Sequence, residues 1–294
     1  MRTPMGRLGV WTFIDGMSAP EVAGFARRLE NWGYRALWLP EAVGRDPFSM
    51  IGYLAAHTEK LVFATGIANI YARDAMTMNA IRQTLAELAP GRFVLGLGVS
   101  HAPLVTDIRG HAYGKPVSTM RAYLEAMQES LFMSVLPEQE APLLLAALRT
   151  NMLKLSAEKA HGAHPYFVPP EHTARAREIL GAEAWLCPEQ MVLLESDPDK
   201  ARQIARQHMA TYIGLPNYCN NLKELGFSSE DFENGGSDRL VDAIVAWGDE
   251  DAIRTRIKAH WDAGADHVCI QPFKNDGSMG PDEALLELLA PGNS

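Results

Sequence analysis

The chain has 294 residues, room for about two domains at ~150 residues each or for one α/β barrel of ~250 residues with additions. Hydrophobic residues at 47% and charged residues at 21% exclude a disordered chain, and no apolar run reaches the ~18 residues of a membrane span. Lys and Arg number 27 against 36 Asp and Glu, a formal charge of −9, which argues against a nucleic-acid surface spread over the whole molecule but leaves room for a local basic pocket that takes a small anion.

In chain order, the run from Leu8 to Ile14 reads as a strand; it stops at Asp15 with no small-residue cleavage site, so a cytoplasmic protein is expected. Ser18-Ala19-Pro20-Glu21 then supplies a capping box with proline in the first turn. Val22, Phe25, Leu29 and Trp32 follow three and four apart, and Gly33 ends the expected helix. Tyr34 to Leu39 is the next strand, closed by Pro40. The alternation continues with a helix over 48–57, a strand over 60–70, a helix whose stripe is Met78, Ile81, Leu85 and Leu88, and a strand over 92–99. His101-Ala102-Pro103 and Gly114-Lys115-Pro116 then break the rhythm, with a helix expected over 118–132. Further strands are expected over 143–148, 163–168 and 185–194, with helices over 152–161, 171–180 and 198–212. A second irregular stretch, 215–236, contains Pro216, Gly226 and Gly235-Gly236. Helices around 238–247 and 250–263 and a strand over 267–271 complete the pattern.

Eight strand candidates alternating with helices predict a parallel sheet, and eight strands close a barrel. An open doubly wound sheet is the alternative, but the turn from Trp11 to Met17 lacks its Gly-rich fingerprint. The expected fold is therefore α/β, a single (β/α)8 TIM barrel over 1–294 with insertions at 99–141, after strand 4, and 215–236, after strand 7. In such a barrel the strands' C-terminal ends carry the active site. The endings here are Asp15, Glu41, Asn69 with Tyr71, Ser100 with His101, Arg149 with Thr150, His164 with Tyr166, Glu195, and Gln271 with Lys274. A strand end is also where a chain returns to water, so each of these has a plain structural reading beside the functional one.

Five blocks carry more: Leu37-Trp38-Leu39-Pro40-Glu41, Asp46-Pro47, the run Leu-Val-Phe-Ala-Thr-Gly-Ile-Ala-Asn-Ile from Leu61 to Ile70, the run Gly-Arg-Phe-Val-Leu-Gly-Leu-Gly-Val-Ser-His from Gly91 to His101, and the closing stretch from Gly264 to Gln271. In these blocks, and in their order across nearly the whole chain, the sequence resembles the bacterial luciferase-like monooxygenase superfamily, and more narrowly its coenzyme F420-dependent oxidoreductases. The resemblance implies a (β/α)8 barrel and hydride transfer between the deazaflavin F420 and a small organic substrate. A cytoplasmic homodimer is expected; charge, run length and the spacing of Glu158, His161 and His164 leave no nucleic-acid or membrane partner and no metal expected.

Residue by residue, Glu41 matches a barrel-end acidic position and His101 the position after strand four that carries an acid or base; these two are the expected catalytic residues. Ala42 stands where several deazaflavin enzymes have a histidine. Gly66 and Ile67 match the end of the third strand, where relatives bend the backbone, often through a non-proline cis peptide, into a bulge behind the flavin-like ring. Asn69 is expected at the ring's heteroatom edge and Ser100 beside the ring. Leu148, Arg149 and Thr150 match the segment that meets the cofactor phosphate at a helix N-terminus, a natural anion site. Arg149, in place of a small residue, is expected to add a charged contact. His164 and Tyr166 are expected along the cofactor tail.

Other patterns carry less. Gly96-Leu97-Gly98 lacks the third glycine of a dinucleotide fingerprint. Glu158, His161 and His164 do not share one element, Arg175 and Arg177 read as a solvated helix face, and Cys187, Cys219 and Cys269 form no CxxC pair. Three other functions stay open: an FMN-dependent luciferase-like monooxygenase, a non-catalytic flavin- or deazaflavin-binding protein, raised by Ala42, and a phosphosugar isomerase or aldolase. Against the last stands the lack of a strand-end lysine other than Lys274. The substrate is left open, and the two insertions are expected to border the pocket and govern its choice.

Overall fold

In the computed structural model, which describes residues 4–278 and 280–293, the apolar runs become parallel strands buried on both faces. The strands are β1 (Leu8–Trp11), β2 (Ala36–Leu39), β3 (Val62–Thr65), β4 (Ala68–Asn69), β5 (Phe93–Gly98), β6 (Leu143–Leu145), β7 (Gly162–Ala163), β8 (Trp185–Leu186), β9 (Glu189–Leu194), β10 (Val245–Gly248) and β11 (Val268–Phe273). Their order is β10-β9-β11-β1-β2-β3-β5-β6-β7-β8, with β4 also on β5. The ring closes through the chain itself. β8 and β9 are two halves of one run, parted at Pro188, whose missing N–H interrupts the ladder. The Cys187 and Glu189 N–H groups continue the pairing by donating to Ala163 and Pro165 carbonyls, both at 2.9 Å. β9 then pairs with β11, and β11 with β1. Eight staves thus form the (β/α)8 barrel.

The helices are α1 (Ala19–Asn31), α2 (Pro47–Ala55), α3 (Ala75–Leu88), α4 (Pro116–Glu129), α5 (Thr150–Lys159), α6 (Pro170–Leu180), α7 (Pro198–Ile213), α8 (Pro216–Glu224), α9 (Asp238–Ile244), α10 (Glu250–Asp262) and α11 (Glu283–Leu288). The capping box expected at α1 forms, with the Ser18 N–H donating to Glu21 Oε2 at 2.7 Å. Side chains alternate along each strand. In β2, Ala36 and Trp38 join Trp11, Ala64, Val94 and Leu144 inside the barrel. Leu37 and Leu39 pack outward on Val22, Phe25 and Leu29 of α1. Among the described residues no helix is long and apolar enough to cross a membrane.

Several boundaries differ from the sequence reading, each for a tertiary reason. The strand over 60–70 is broken into β3 and β4 at Gly66 and Ile67. Of the run 143–148 only Leu143–Leu145 enters the ladder, and of 163–168 only Ala163, together with Gly162 just before it. The helix expected to 247 stops at Ile244, because Val245 to Gly248 pair with Met191 to Leu194 of β9. The irregular stretch 215–236 holds α8 and a 3-10 turn at Glu230–Gly235. These pieces belong to an apolar cluster in which Tyr218 and Leu222 of α8 pack with Met209, Phe167 and Leu148. That cluster seats α8 against the mouth of the barrel.

Candidate active site

The C-terminal ends of the strands open into a cavity of about 410 Å3. Its floor is built around the break between β3 and β4. The Gly66–Ile67 peptide bond is cis, the backbone form implied by the family resemblance. Gly66 is held from both sides: its N–H donates to Leu39 O at 2.9 Å, and its carbonyl accepts from Trp11 Nε1 at 2.7 Å. A Cβ on Gly66 would lie 2.7 Å from Trp11 Nε1, and one on Gly98 would lie 2.4 Å from Ile67 Cδ1. The Gly-Leu-Gly run of β5 is therefore thin because the bulge leans on it, a packing reason and not a phosphate-binding one.

Glu41 reaches the cavity, but its carboxylate is occupied. Oε1 accepts from Arg73 Nη1 at 2.6 Å and Oε2 from the Asn69 N–H at 2.8 Å, with the side chain 6% exposed. Arg73 also pairs with Asp46. Glu41 thus ties Arg73 to the segment after the bulge, with both carboxylate oxygens engaged. Asn69 does not line the cavity: it is fully buried, and its Oδ1 accepts from the Tyr71 N–H at 2.9 Å. Its Nδ2 is buried and has no hydrogen-bond partner among the described residues.

Ser100 and His101 follow β5 on the cavity wall, Ser100 in the left-handed region at φ 56° with its carbonyl accepting from Tyr113 OH at 3.1 Å. Half-buried His101 packs against the Tyr218 ring, centroids 5.3 Å apart. Among the described residues nothing hydrogen-bonds its imidazole, and burial lowers its pKa below 6.5. Ala42 lines the cavity beside it, its carbonyl accepting from Arg109 Nη2 at 3.0 Å.

On the far side, Leu148, Arg149 and Thr150 line the cavity where α5 begins. Arg149 is the N-cap residue, and no side chain caps the first turn, so N–H groups remain there for an anion. His164 sits in the floor, buried and stacked on Trp38 with centroids 4.4 Å apart. Its Nδ1 is 2.7 Å from Cys187 O, which fixes the proton on that nitrogen and leaves Nε2 as an acceptor with no partner among the described residues. Burial pushes its pKa down to about 4. Tyr166 spans the inner wall, its hydroxyl 2.8 Å from both Tyr212 OH and Gln271 Oε1.

Of the expected site residues, the structure brings together Glu41, Gly66, Ile67, Ser100, His101, Leu148, Arg149, Thr150, His164 and Tyr166, and leaves Asn69 outside. The sequence reading missed Asn217, Tyr218 and Glu224 of α8, which also line the cavity. It missed Arg175 too, which bonds Glu224 and reaches Thr150 Oγ1 at 3.3 Å. A signal for α8 exists in Pro216 followed by Tyr218 and Leu222 four apart.

A parallel eight-stranded barrel with its pocket at the strand ends places the protein in the class of (β/α)8 barrels. Within that class, the chain belongs to the luciferase-like monooxygenase family, whose sequence profile matches residues 5–267. It is similar to the 5,10-methylenetetrahydromethanopterin reductase of Archaeoglobus fulgidus, 25% identical over 277 residues, covering 80% of this chain and 79% of that one. A Mycobacterium tuberculosis protein named provisionally as a coenzyme F420-dependent oxidoreductase is 26% identical over 179 residues, 60% of this chain; the chain spans about half, 49%, of that relative's length. Among solved structures, the F420-dependent tetrahydromethanopterin reductase of Methanopyrus kandleri superposes with a TM-score of 0.77 at 17% identity, covering 97% of both chains. An FMN complex of the oxygenating constituent of 3,6-diketocamphane monooxygenase from Pseudomonas putida gives 0.69 at 16%, covering 99% of this chain and 97% of that one.

Proposed function

We propose that the protein is an oxidoreductase that moves a hydride between deazaflavin F420 and a small organic substrate. The observation that carries this reading is the shape and chemistry of one cavity: an apolar middle against the Gly66–Ile67 bulge, a histidine on one wall and a cationic helix start at the other end. Cβ atoms at Gly66 and Gly98 would meet Trp11 and Ile67, so the two glycines let the bulge pack into the floor of that cavity. The curated relatives named as F420-dependent enzymes and methanopterin reductases support the deazaflavin over FMN.

The deazaflavin, when bound, supplies the hydride donor or acceptor; the protein supplies position and proton handling. The bulge and Trp11 would set the plane of the ring, and Arg149 with the first turn of α5 would hold the phosphate. His101 would move the proton at the substrate's oxygen. With its pKa below 6.5 it is mostly neutral at pH 7, so it is poised to accept a proton from a substrate hydroxyl as hydride leaves. His164 Nε2, held as an acceptor, would take a hydrogen bond from a donor on the ligand.

Titration of the purified protein with F420 and with FMN tests this. Tight F420 binding is expected, weakened by about 1–3 kcal/mol in Arg149→Ala and more at low salt than at high. Binding of FMN alone would move the assignment to the monooxygenase reading, and unchanged affinity in the variant would remove Arg149 from the site.

A further inference from the structure

The rim of the cavity at the start of α5 holds a carboxylate among its cations. Glu224, at the end of α8, lines the cavity with Arg149 and Thr150. Its Oε1 lies 4.0 Å from Arg149 Nη1, and its Oε2 accepts from Arg175 Nη2. The same Arg175 nitrogen lies 3.3 Å from Thr150 Oγ1, so the two guanidinium groups and the carboxylate are gathered around the first residue of the helix. Their charges sum to +1. The nearby imidazole of His172 adds nothing at neutral pH, since its Nε2 is 2.6 Å from Leu148 O and burial holds its pKa down to about 4. The first turn of α5 contains no acidic residue. The helix that carries Glu224 is itself anchored, with Tyr218 and Leu222 packed in the apolar cluster and Asn221 fully buried.

We infer that Glu224 sets the charge of this anion site so that it matches a singly charged phosphodiester and penalises a terminal phosphate. The inference rests on the reading that the cofactor phosphate binds at α5. F420 carries its phosphate as a diester, with one negative charge; FMN ends in a monoester that bears about −1.5 to −2 at neutral pH. The single charge of a diester is answered by the +1 of these side chains and the partial positive charge of the helix start. A monoester leaves excess negative charge beside the Glu224 carboxylate, and like charges at this range repel even where solvent screens them. Glu224 is therefore a specificity-determining residue that acts on the charge of the ligand's phosphate group and leaves its ring unread.

The test is binding of F420, FMN and riboflavin to the wild type, Glu224→Gln and Glu224→Asp at low salt, followed by ligand fluorescence. Glu224→Gln should tighten FMN relative to F420 by a few-fold, since the two phosphates differ by only about 0.5–1 charge at a half-exposed site. Riboflavin, which has no phosphate, should be unmoved, and Glu224→Asp, which keeps the charge, should stay near wild type. Equal tightening of F420 and FMN would show a carboxylate that merely competes for the arginines and would overturn the inference; so would an unchanged ratio, and either result leaves the cofactor reading standing. Failure of F420 and FMN to bind any of the three proteins overturns both.

Discussion

At the scale of single residues, His101 shows what burial does to a role read from sequence. The free imidazole value suits a proton donor, but the lowered pKa makes neutral imidazole the resting form at pH 7, and therefore an acceptor. His101→Ala should lower kcat for hydride transfer by about 100-fold while cofactor affinity stays within about twofold, because the lost interaction belongs to the transition state. In the direction that oxidises an alcohol, wild-type turnover should rise with pH through a pKa below 6.5 and then level. Near-normal turnover in the variant, or a wild-type rate that falls across that range, would contradict the assignment. Most of the wall was legible, since polar residues at the ends of apolar runs converge in any barrel of this kind. Arg175 was not legible, because its partner Glu224 lies 49 positions away and its own helix gives no sign of which face meets it. Glu41 is where the strand pattern puts it, but a sequence does not show that Arg73 and the Asn69 N–H take up both carboxylate oxygens.

At the scale of elements, the floor of the site depends on β5 being thin. Gly96 lies where an added Cβ would come within 2.0 Å of Thr65 O, a backbone atom of a residue already tied through its hydroxyl to Gly96 O at 2.7 Å. Gly96→Ala should cost about 3 kcal/mol or more, since neither strand can retreat without opening the barrel. Urea unfolding measures this, and a variant as stable as wild type would mean that β3 and β5 can part. The eight staves were readable from apolar runs between turn signals. The break within the third stave was implied by the family resemblance and not by periodicity, which runs unbroken from Leu61 to Ile70. α8 escaped because nine residues between Leu215 and Leu225 give too few turns for a periodic pattern to stand out from the prolines and glycines around them.

For the molecule as a whole, the interior carries a pH signature. His164, His172 and His267 are buried with pKa values pushed down to about 4, and His260 to about 3. Each binds its proton more readily unfolded, near ~6.5, than folded. The stability they leave intact above pH 6.5 is therefore lost progressively as pH falls from 6.5 towards 4. Glu189 works the other way. Buried, with Oε2 accepting from the Phe167 N–H at 3.2 Å, it has its pKa raised to about 8, so it weakens the fold as pH rises from about 4.5 to 8. Four histidines outweigh one glutamate, and the melting temperature should fall on acidification below 6.5. Glu189→Gln should remove the decline between pH 6.5 and about 8 while keeping the acid limb, the buried thiols and phenols acting only at higher pH; a variant that retains the decline in that window would place its source elsewhere. The seam between β1 and β11 has a consequence in time. Leu8 meets Val268 across 260 positions, whereas Val10 meets Leu37 across 27. Closing the longer loop costs more chain entropy before any contact repays it, so neighbouring staves should assemble first and the seam last. In refolding followed by pulsed amide exchange, the Val62 N–H, bonded to Arg35 O at 2.9 Å, should be protected before the Val268 N–H, bonded to Arg7 O at 2.9 Å; simultaneous protection would mean that the ring forms in one step.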